Sequence, residues 1–313
     1  MRRVSRQLMN EGHAIWLVAT ALCACVAPSA ALGQESPLPL LRELGLRSTS
    51  TGPATLYSTP GYEEWAGEIV DQSIAAVRLF ADSLDLSFDF NVAVLMPPQW
   101  VTWFVNGDDV SWENEQYGMP WAWPPDRLIA VPATFDEGLV IRDPSDVDGN
   151  KRLLRFIALH ELGHVSTREF FYPTSEHRWS PVGWFEEFLA SYFAVAFASL
   201  DDEGAEFVVT FSTEIIATTS PPFTNLDVMH QVFGRLPPPQ AAANYGWYQA
   251  VLNLKAIELH ERHGFGFLVA LRDALAWDSF EEWSTDYLLD RVDTLDPGFR
   301  AWAHGIQGAD RRP

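Results

Sequence analysis

Two histidines and a glutamate with the spacing of a metal-binding helix stand near the middle of the chain. Residues 160–164 read His-Glu-Leu-Gly-His, so His160 and His164 lie one helical turn apart and face the same side of a helix. Both imidazoles can therefore reach one metal ion, and Glu161 projects beside them toward a water that the metal would bind. The pattern indicates hydrolysis assisted by Zn²⁺, with Glu161 as the general base.

The residues before this motif favour a buried helix. Apolar side chains recur at helical spacing through 151–159, and neither Pro nor Gly occurs between Lys151 and Leu162. Two imidazoles and a carboxylate on such a helix would be costly to bury without a partner, and a metal ion provides one. We therefore interpret the motif as a metal site on a largely buried helix.

A catalytic zinc needs a third protein ligand and an open position for water. One known solution places a third histidine six residues after the second, with a glycine midway between them. The corresponding positions here are Thr167 and Phe170. The third ligand must therefore come from another segment.

A second helix with two adjacent carboxylates follows at 183–192. Its bulky side chains share one face, whereas Glu187 points to a side that carries the small residues Ala190, Ser191 and Ala194. Small residues would let this helix approach the metal helix closely. We therefore expect Glu187 to be the third ligand, with Glu186 as the alternative.

The remaining pattern describes the elements that position these helices. Residues 62–84 have apolar side chains at near-helical intervals and predict a helix. Residues 88–96 and 127–131 predict short strands, each followed by proline. We predict an α+β fold that forms one catalytic unit. Its small mixed α/β N-terminal lobe spans 34–149, its mainly helical C-terminal lobe spans 150–313, and the metal helix lies at the junction of the lobes.

Residues 1–33 have the order of a secretory signal peptide. Basic residues precede the apolar run 14–26, and small residues follow it. We expect export to a periplasmic or extracellular compartment, with cleavage near Ala31 or Gly33. Lipid attachment at Cys25 is the alternative.

Cysteine content and charge exclude several classes of protein. Both cysteines, Cys23 and Cys25, lie in the predicted leader, so the mature chain 34–313 would use neither disulfides nor thiol catalysis nor a cysteine-ligated metal. The formal net charge of −21 repels phosphate backbones, which argues against nucleic acid as the main partner. No segment after the leader is long and apolar enough to span a membrane.

The motif and the segment 184–192 together resemble a known family. Trp-Phe-Glu-Glu-Phe-Leu-Ala-Ser-Tyr at 184–192 is similar to the Trp-Leu-Asn-Glu-Gly-Phe-Ala-Ser-Tyr segment of M1-type aminopeptidases. With the motif at 160–164, it looks like the gluzincin metallopeptidases of the peptidase MA-like group. The resemblance covers about residues 90–300 in outline. It implies a thermolysin-like zincin unit, a peptide or protein substrate, and Glu187 as the zinc ligand.

The same resemblance implies a tyrosine at the start of a downstream helix that stabilises the developing oxyanion. Tyr248 looks similar to that position, and its neighbour Tyr245 is the alternative. Two features depart from the family. Ser191 stands where many gluzincins have an aspartate that orients a histidine ligand, and the aminopeptidase Gly-Ala-Met-Glu-Asn signature is absent, so aminopeptidase specificity is not implied.

Other aromatic and histidine residues have weaker patterns. A tryptophan-rich segment over 100–123 predicts core and loop packing, with an aromatic platform beside the site as the alternative. Five histidines lack ligand spacing, and we assign them structural roles: His177, His230, His260, His263 and His304. The competing function is a non-catalytic protein that binds a peptide or glycan on a peptidase-like scaffold.

Overall fold

The structure is a computed structural model, and it describes residues 36–96, 99, 120–134, 146–173, 180–275 and 283–307. The predicted leader with both cysteines lies outside the described residues, as do Trp100, Trp103, Trp112 and His177. Among the helices of the described part, none combines the length and the apolar character that crossing a membrane requires.

Five strands form one mixed sheet in the order β1-β2-β3-β5-β4. They are β1 (Arg47–Thr51), β2 (Ala54–Ser58), β3 (Phe90–Leu95), β4 (Trp121–Trp123) and β5 (Leu128–Pro132). The central strands β2, β3 and β5 are parallel, and β1 and β4 pair antiparallel with their neighbours at the two edges. The predicted strands at 88–96 and 127–131 correspond to β3 and β5.

Both faces of the sheet are covered, which explains why β5 is apolar throughout. Val92 and Val94 of β3 belong to the main core, which they share with the long helices. Ala93 and Leu95 point to the opposite face, where a short helix, α1 (Leu38–Glu43), contributes Leu41 to a smaller core.

Helix α2 (Glu63–Leu84) is the amphipathic helix predicted at 62–84. Its buried side chains belong to the main core, and the indole nitrogen of Trp65 donates a hydrogen bond to the carbonyl of Pro132 at 3.0 Å. The helix ends at Leu84, and the next residue, Asp85, has a left-handed φ of 54°. The contact of Trp65 fixes the helix to the end of β5.

The C-terminal part is helical. The motif lies in α3 (Val147–Phe171), which begins where the carboxylate of Asp146 accepts a hydrogen bond from the amide of Gly149 at 2.9 Å. The helices after α3 are α4 (Gly183–Ala198), α5 (Asp202–Thr218), α6 (Val232–Arg235), α7 (Pro238–His263), α8 (Gly266–Ala274), α9 (Thr285–Leu295) and α10 (Phe299–Gln307). This mainly helical architecture with a small mixed sheet agrees with the predicted α+β class.

Helices α3 and α4 are in backbone contact at the level of the motif. A Cβ placed on Gly163 would lie 2.4 Å from the carbonyl oxygen of Ala190, far inside van der Waals contact. Only a residue without a side chain fits at this position. The close approach agrees with the small-residue side that the sequence places on the second helix.

Two parts of the fold were missed by sequence reasoning. No pattern in the segment 36–60 predicted α1 or the hairpin of β1 and β2. All residues of β1 are exposed, so this strand has no apolar alternation. The end of the tryptophan-rich segment forms the edge strand β4. Trp121 and Trp123 in this strand are buried in the smaller core, as the packing interpretation expected for these two.

Candidate metal centre

Three side chains from two helices meet in the interior. His160 and His164 of α3 and Glu187 of α4 are all buried, and one potential ligand atom from each lies within 4.8 Å of the others. The Nε2 atoms of His160 and His164 lie 3.0 Å and 3.5 Å from the same Glu187 oxygen, Oε2. The three side chains therefore converge on one point.

The outer nitrogens of the two imidazoles face other residues of α4. Nδ1 of His160 lies 3.4 Å from the hydroxyl oxygen of Ser191. Nδ1 of His164 lies 3.5 Å from Oε1 of Glu186. The adjacent glutamates thus contact opposite sides of the His164 ring, since Glu187 faces Nε2 and Glu186 faces Nδ1.

Helix α7 holds the Glu187 carboxylate from a third direction. The side-chain amide of Gln249 donates a hydrogen bond to Oε2 at 2.6 Å and lies 3.0 Å from the hydroxyl oxygen of Tyr245. Gln249 is buried and 62 positions away from Glu187 in the chain. No local sequence signal could have linked these two residues.

His230 is a further neighbour of the centre that sequence reasoning placed elsewhere. It lies on a 3-10 helix, Leu226–Gln231, and its Nε2 is 3.4 Å from Oε1 of Glu187. The ring packs against the first turn of α4, where a Cβ on Gly183 would lie 2.8 Å from it. The structural role that we assigned to His230 from its spacing therefore missed its contact with the centre.

Burial and neighbouring charges shift the pKa values of all three converging side chains. Burial lowers the pKa of His160, and its hydrogen bond to Glu187 only partly offsets this effect. Burial alone would also lower the pKa of His164, but the charge of Glu187 and the contact with Glu186 raise it well above its usual value. For Glu187, burial is outweighed by the histidines, so its pKa is well below its usual value.

Glu161 projects from the same helix as the two histidines. It is almost fully buried, with 1% of its surface exposed, and its charge is among those that raise the pKa of His164. Glu161 is therefore close enough to His164 for its charge to act on that ring.

The two candidate tyrosines have different surroundings on α7. The Tyr248 hydroxyl donates a hydrogen bond to the backbone carbonyl of Asn225 at 2.7 Å. The Tyr245 hydroxyl lies beside Gln249, and the Tyr245 ring lies 5.9 Å from the ring of His230. Both are buried. Tyr245 thus neighbours Gln249 and His230, each of which contacts Glu187. Tyr248 instead contacts the residue before the 3-10 helix.

The donor set of this buried group fits a metal ion. Two imidazole nitrogens and one carboxylate oxygen form the His₂Glu set of catalytic zinc sites, which leaves a coordination position for water. Each ring nitrogen that would face the ion has a second residue behind the opposite nitrogen, as metal-bound histidines usually have. His160, His164 and Glu187 could therefore hold a metal ion.

A cavity of about 280 Å³ lies beside this centre. Its wall is formed by the start of α4, by the 3-10 helix with His230, and by Ser284 and Thr285 at the start of α9. His230 thus lines this cavity and also contacts the carboxylate of Glu187.

Comparisons of the chain with protein-family models, with curated proteins and with solved structures find no match.

Proposed function

We propose that the protein is an exported zinc metallopeptidase of the gluzincin type, with a thermolysin-like catalytic unit. The observation that carries the proposal is the convergence of His160, His164 and Glu187 on one buried point, together with the buried Glu161 on the same helix as the two histidines. A purely structural metal site needs no general base, whereas hydrolysis needs a group that accepts the proton of the attacking water.

The ligands would be Nε2 of His160, Nε2 of His164 and a carboxylate oxygen of Glu187. A zinc ion held by them would supply a Lewis acid that lowers the pKa of a bound water and polarises the carbonyl under attack. Gln249 keeps the Glu187 carboxylate in place through its hydrogen bond to Oε2.

Glu161 accepts the proton of the attacking water on its carboxylate and later transfers it to the leaving nitrogen of the peptide. Tyr248 is the proposed donor to the developing oxyanion, with Tyr245 as the alternative. In the present geometry, the Tyr248 hydroxyl would have to exchange its bond to Asn225 for one to the substrate.

The test separates metal binding from chemistry. Glu161→Gln keeps the size of the side chain but removes the proton acceptor, so it should retain stoichiometric zinc and lose activity by about 10²–10⁴-fold. Glu187→Ala should lose the zinc because it removes a ligand, whereas Glu186→Ala should still contain zinc when the metal is in excess. Metal content is measured by elemental analysis of each purified full-length variant.

Activity is measured by incubating wild type and Glu161→Gln with an extracellular proteome and comparing the new amino termini. Termini that depend on Glu161 support the peptidase. Zinc without any Glu161-dependent termini would instead favour a peptide- or glycan-binding protein on a peptidase-like scaffold. Zinc that persists in Glu187→Ala would refute the ligand assignment.

A further inference from the structure

Glu186 is a buried carboxylate that the proposed reaction does not use. Its side chain is 3% exposed, and its two oxygens have different neighbours. Oε2 accepts hydrogen bonds from the Tyr172 hydroxyl at 2.6 Å and from the Ser180 amide at 3.2 Å. Oε1 lies 3.5 Å from Nδ1 of His164, and it accepts no hydrogen bond from the residues that the structure describes.

We propose that Glu186 is the positioning residue for His164, which it holds in the tautomer that presents Nε2 to the metal. A carboxylate can only accept hydrogen bonds, so the imidazole nitrogen that faces it must carry the proton. With a metal ion bound between Nε2 and Glu187, the proton that Glu186 keeps on Nδ1 would leave the lone pair of Nε2 free for the ion. This inference rests on the proposed metal site.

The orientation of Glu186 is itself imposed by its neighbours. Tyr172 follows the last residue of α3, and Ser180 lies just before α4, so the carboxylate joins the ends of the two helices that form the site. Burial and the charge of Glu186 raise the pKa of Tyr172 well above its usual value, so its hydroxyl keeps its proton and remains a donor. Both donors engage Oε2, which leaves Oε1 directed at His164.

The arrangement also separates the roles of the adjacent glutamates. Glu187 faces the Nε2 atoms of both histidines, whereas Glu186 reaches only the far nitrogen of one of them. A residue behind a metal-bound histidine typically changes metal affinity by about 10–100-fold when it is removed, while the loss of a ligand removes the site. Glu186 should therefore tune the metal affinity rather than create it.

The other histidine provides a matched comparison within the same site. Nδ1 of His160 faces the hydroxyl of Ser191 at 3.4 Å, a neutral group that can donate or accept. A hydroxyl does not impose one tautomer, and hydrogen bonds to charged groups are roughly twice as strong as those between neutral groups. Removing Ser191 should consequently weaken metal binding less than neutralising Glu186.

The experiment measures the zinc dissociation constant of the full chain by competition with a chromophoric chelator. Glu186→Gln keeps the side-chain volume and removes the charge, and we expect a weakening of about 10–100-fold. Tyr172→Phe should shift the affinity in the same direction by a smaller factor. The double variant should be no weaker than Glu186→Gln alone, because Tyr172 acts through Glu186. Ser191→Ala should weaken zinc binding less than Glu186→Gln does.

Substitution with Co²⁺ adds a spectroscopic test, because the visible absorption of cobalt reports ligand orientation. The spectrum should change in Glu186→Gln, which a role in folding alone would not produce. An unchanged zinc affinity in Glu186→Gln overturns the inference, whether or not the variant is less stable to urea. If Glu186→Gln does not fold, an affinity of Tyr172→Phe equal to that of wild type overturns it.

The outcome also distinguishes this inference from the proposed function. A wild-type chain that binds no zinc overturns both. In another outcome, the wild-type protein binds zinc, Glu186→Gln binds it more weakly as expected, and no peptide is cleaved. This outcome overturns only the peptidase assignment and supports the positioning role.

Discussion

The contact between Gly163 and Ala190 makes a quantitative prediction about the metal centre. In Gly163→Ala the new methyl would start 2.4 Å from the Ala190 carbonyl oxygen, and relief to an ordinary contact near 3.4 Å requires α3 and α4 to separate by about 1 Å. The obstacle is backbone, so no side-chain rotation can relieve the clash. The same separation moves Glu187 away from both histidines, because the ligands lie on opposite sides of this contact.

Two opposing terms set the size of the stability change. Overpacking of this kind costs about 1–3 kcal/mol, and replacing glycine by alanine inside a helix returns about 1 kcal/mol. We expect the metal-free variant to be destabilised by up to about 2 kcal/mol. Metal sites tolerate ligand displacements of only about 0.2 Å, so zinc affinity should fall by at least about tenfold.

Urea unfolding of the metal-free protein and chelator competition measure these two quantities. Gly67→Ala is the matched control, because Gly67 lies inside α2 and a methyl group added there would meet no other heavy atom within 4 Å. It should be more stable than wild type by about 0.4–1 kcal/mol, with unchanged zinc affinity. The reasoning is refuted if Gly163→Ala binds zinc as tightly as wild type and unfolds at the same or a higher urea concentration.

Two further predictions concern buried polar groups. The Tyr192 hydroxyl donates a hydrogen bond to the Gly264 carbonyl at 2.7 Å, so Tyr192→Phe should destabilise the protein by about 1–2 kcal/mol in urea unfolding; an unchanged midpoint would contradict this role. In the metal-free protein, Glu187 contributes stability above its ordinary pKa of 4.5, and this contribution is lost as pH falls through its lowered folded-state pKa. The contribution of His164 is complete below its ordinary pKa of 6.5 and is lost as pH rises through its raised folded-state pKa. Thermal unfolding of the chelated wild-type protein should therefore show a decline of stability above pH 6.5, and His164→Gln should reduce this decline. Equal declines in wild type and His164→Gln would contradict the assigned contribution of His164.

Local patterns were sufficient where neighbours along the chain decide the structure. The spacing of His160 and His164 depends only on helical periodicity, so the metal helix and its shared face could be predicted from five residues. The strands β3 and β5 could be predicted for a similar reason, since a buried parallel strand has a continuous apolar run that proline ends. By contrast, the exposed strand β1 has no apolar pattern and was missed.

The sequence by itself determined that one helix carries two histidines on a shared face. It also determined that Thr167 and Phe170 cannot supply a third ligand, and that a carboxylate pair follows on a second helix with a small-residue side. Only the tertiary structure decided which oxygen faces which nitrogen. Gln249 and His230 reach the site because α7 and the 3-10 helix pack against α4. The different contacts of the adjacent glutamates with His164 depend on the close approach of α3 and α4. These contacts join residues that are distant in the chain. Buried polar side chains need hydrogen-bond partners, but no local sequence pattern shows which residues those partners are.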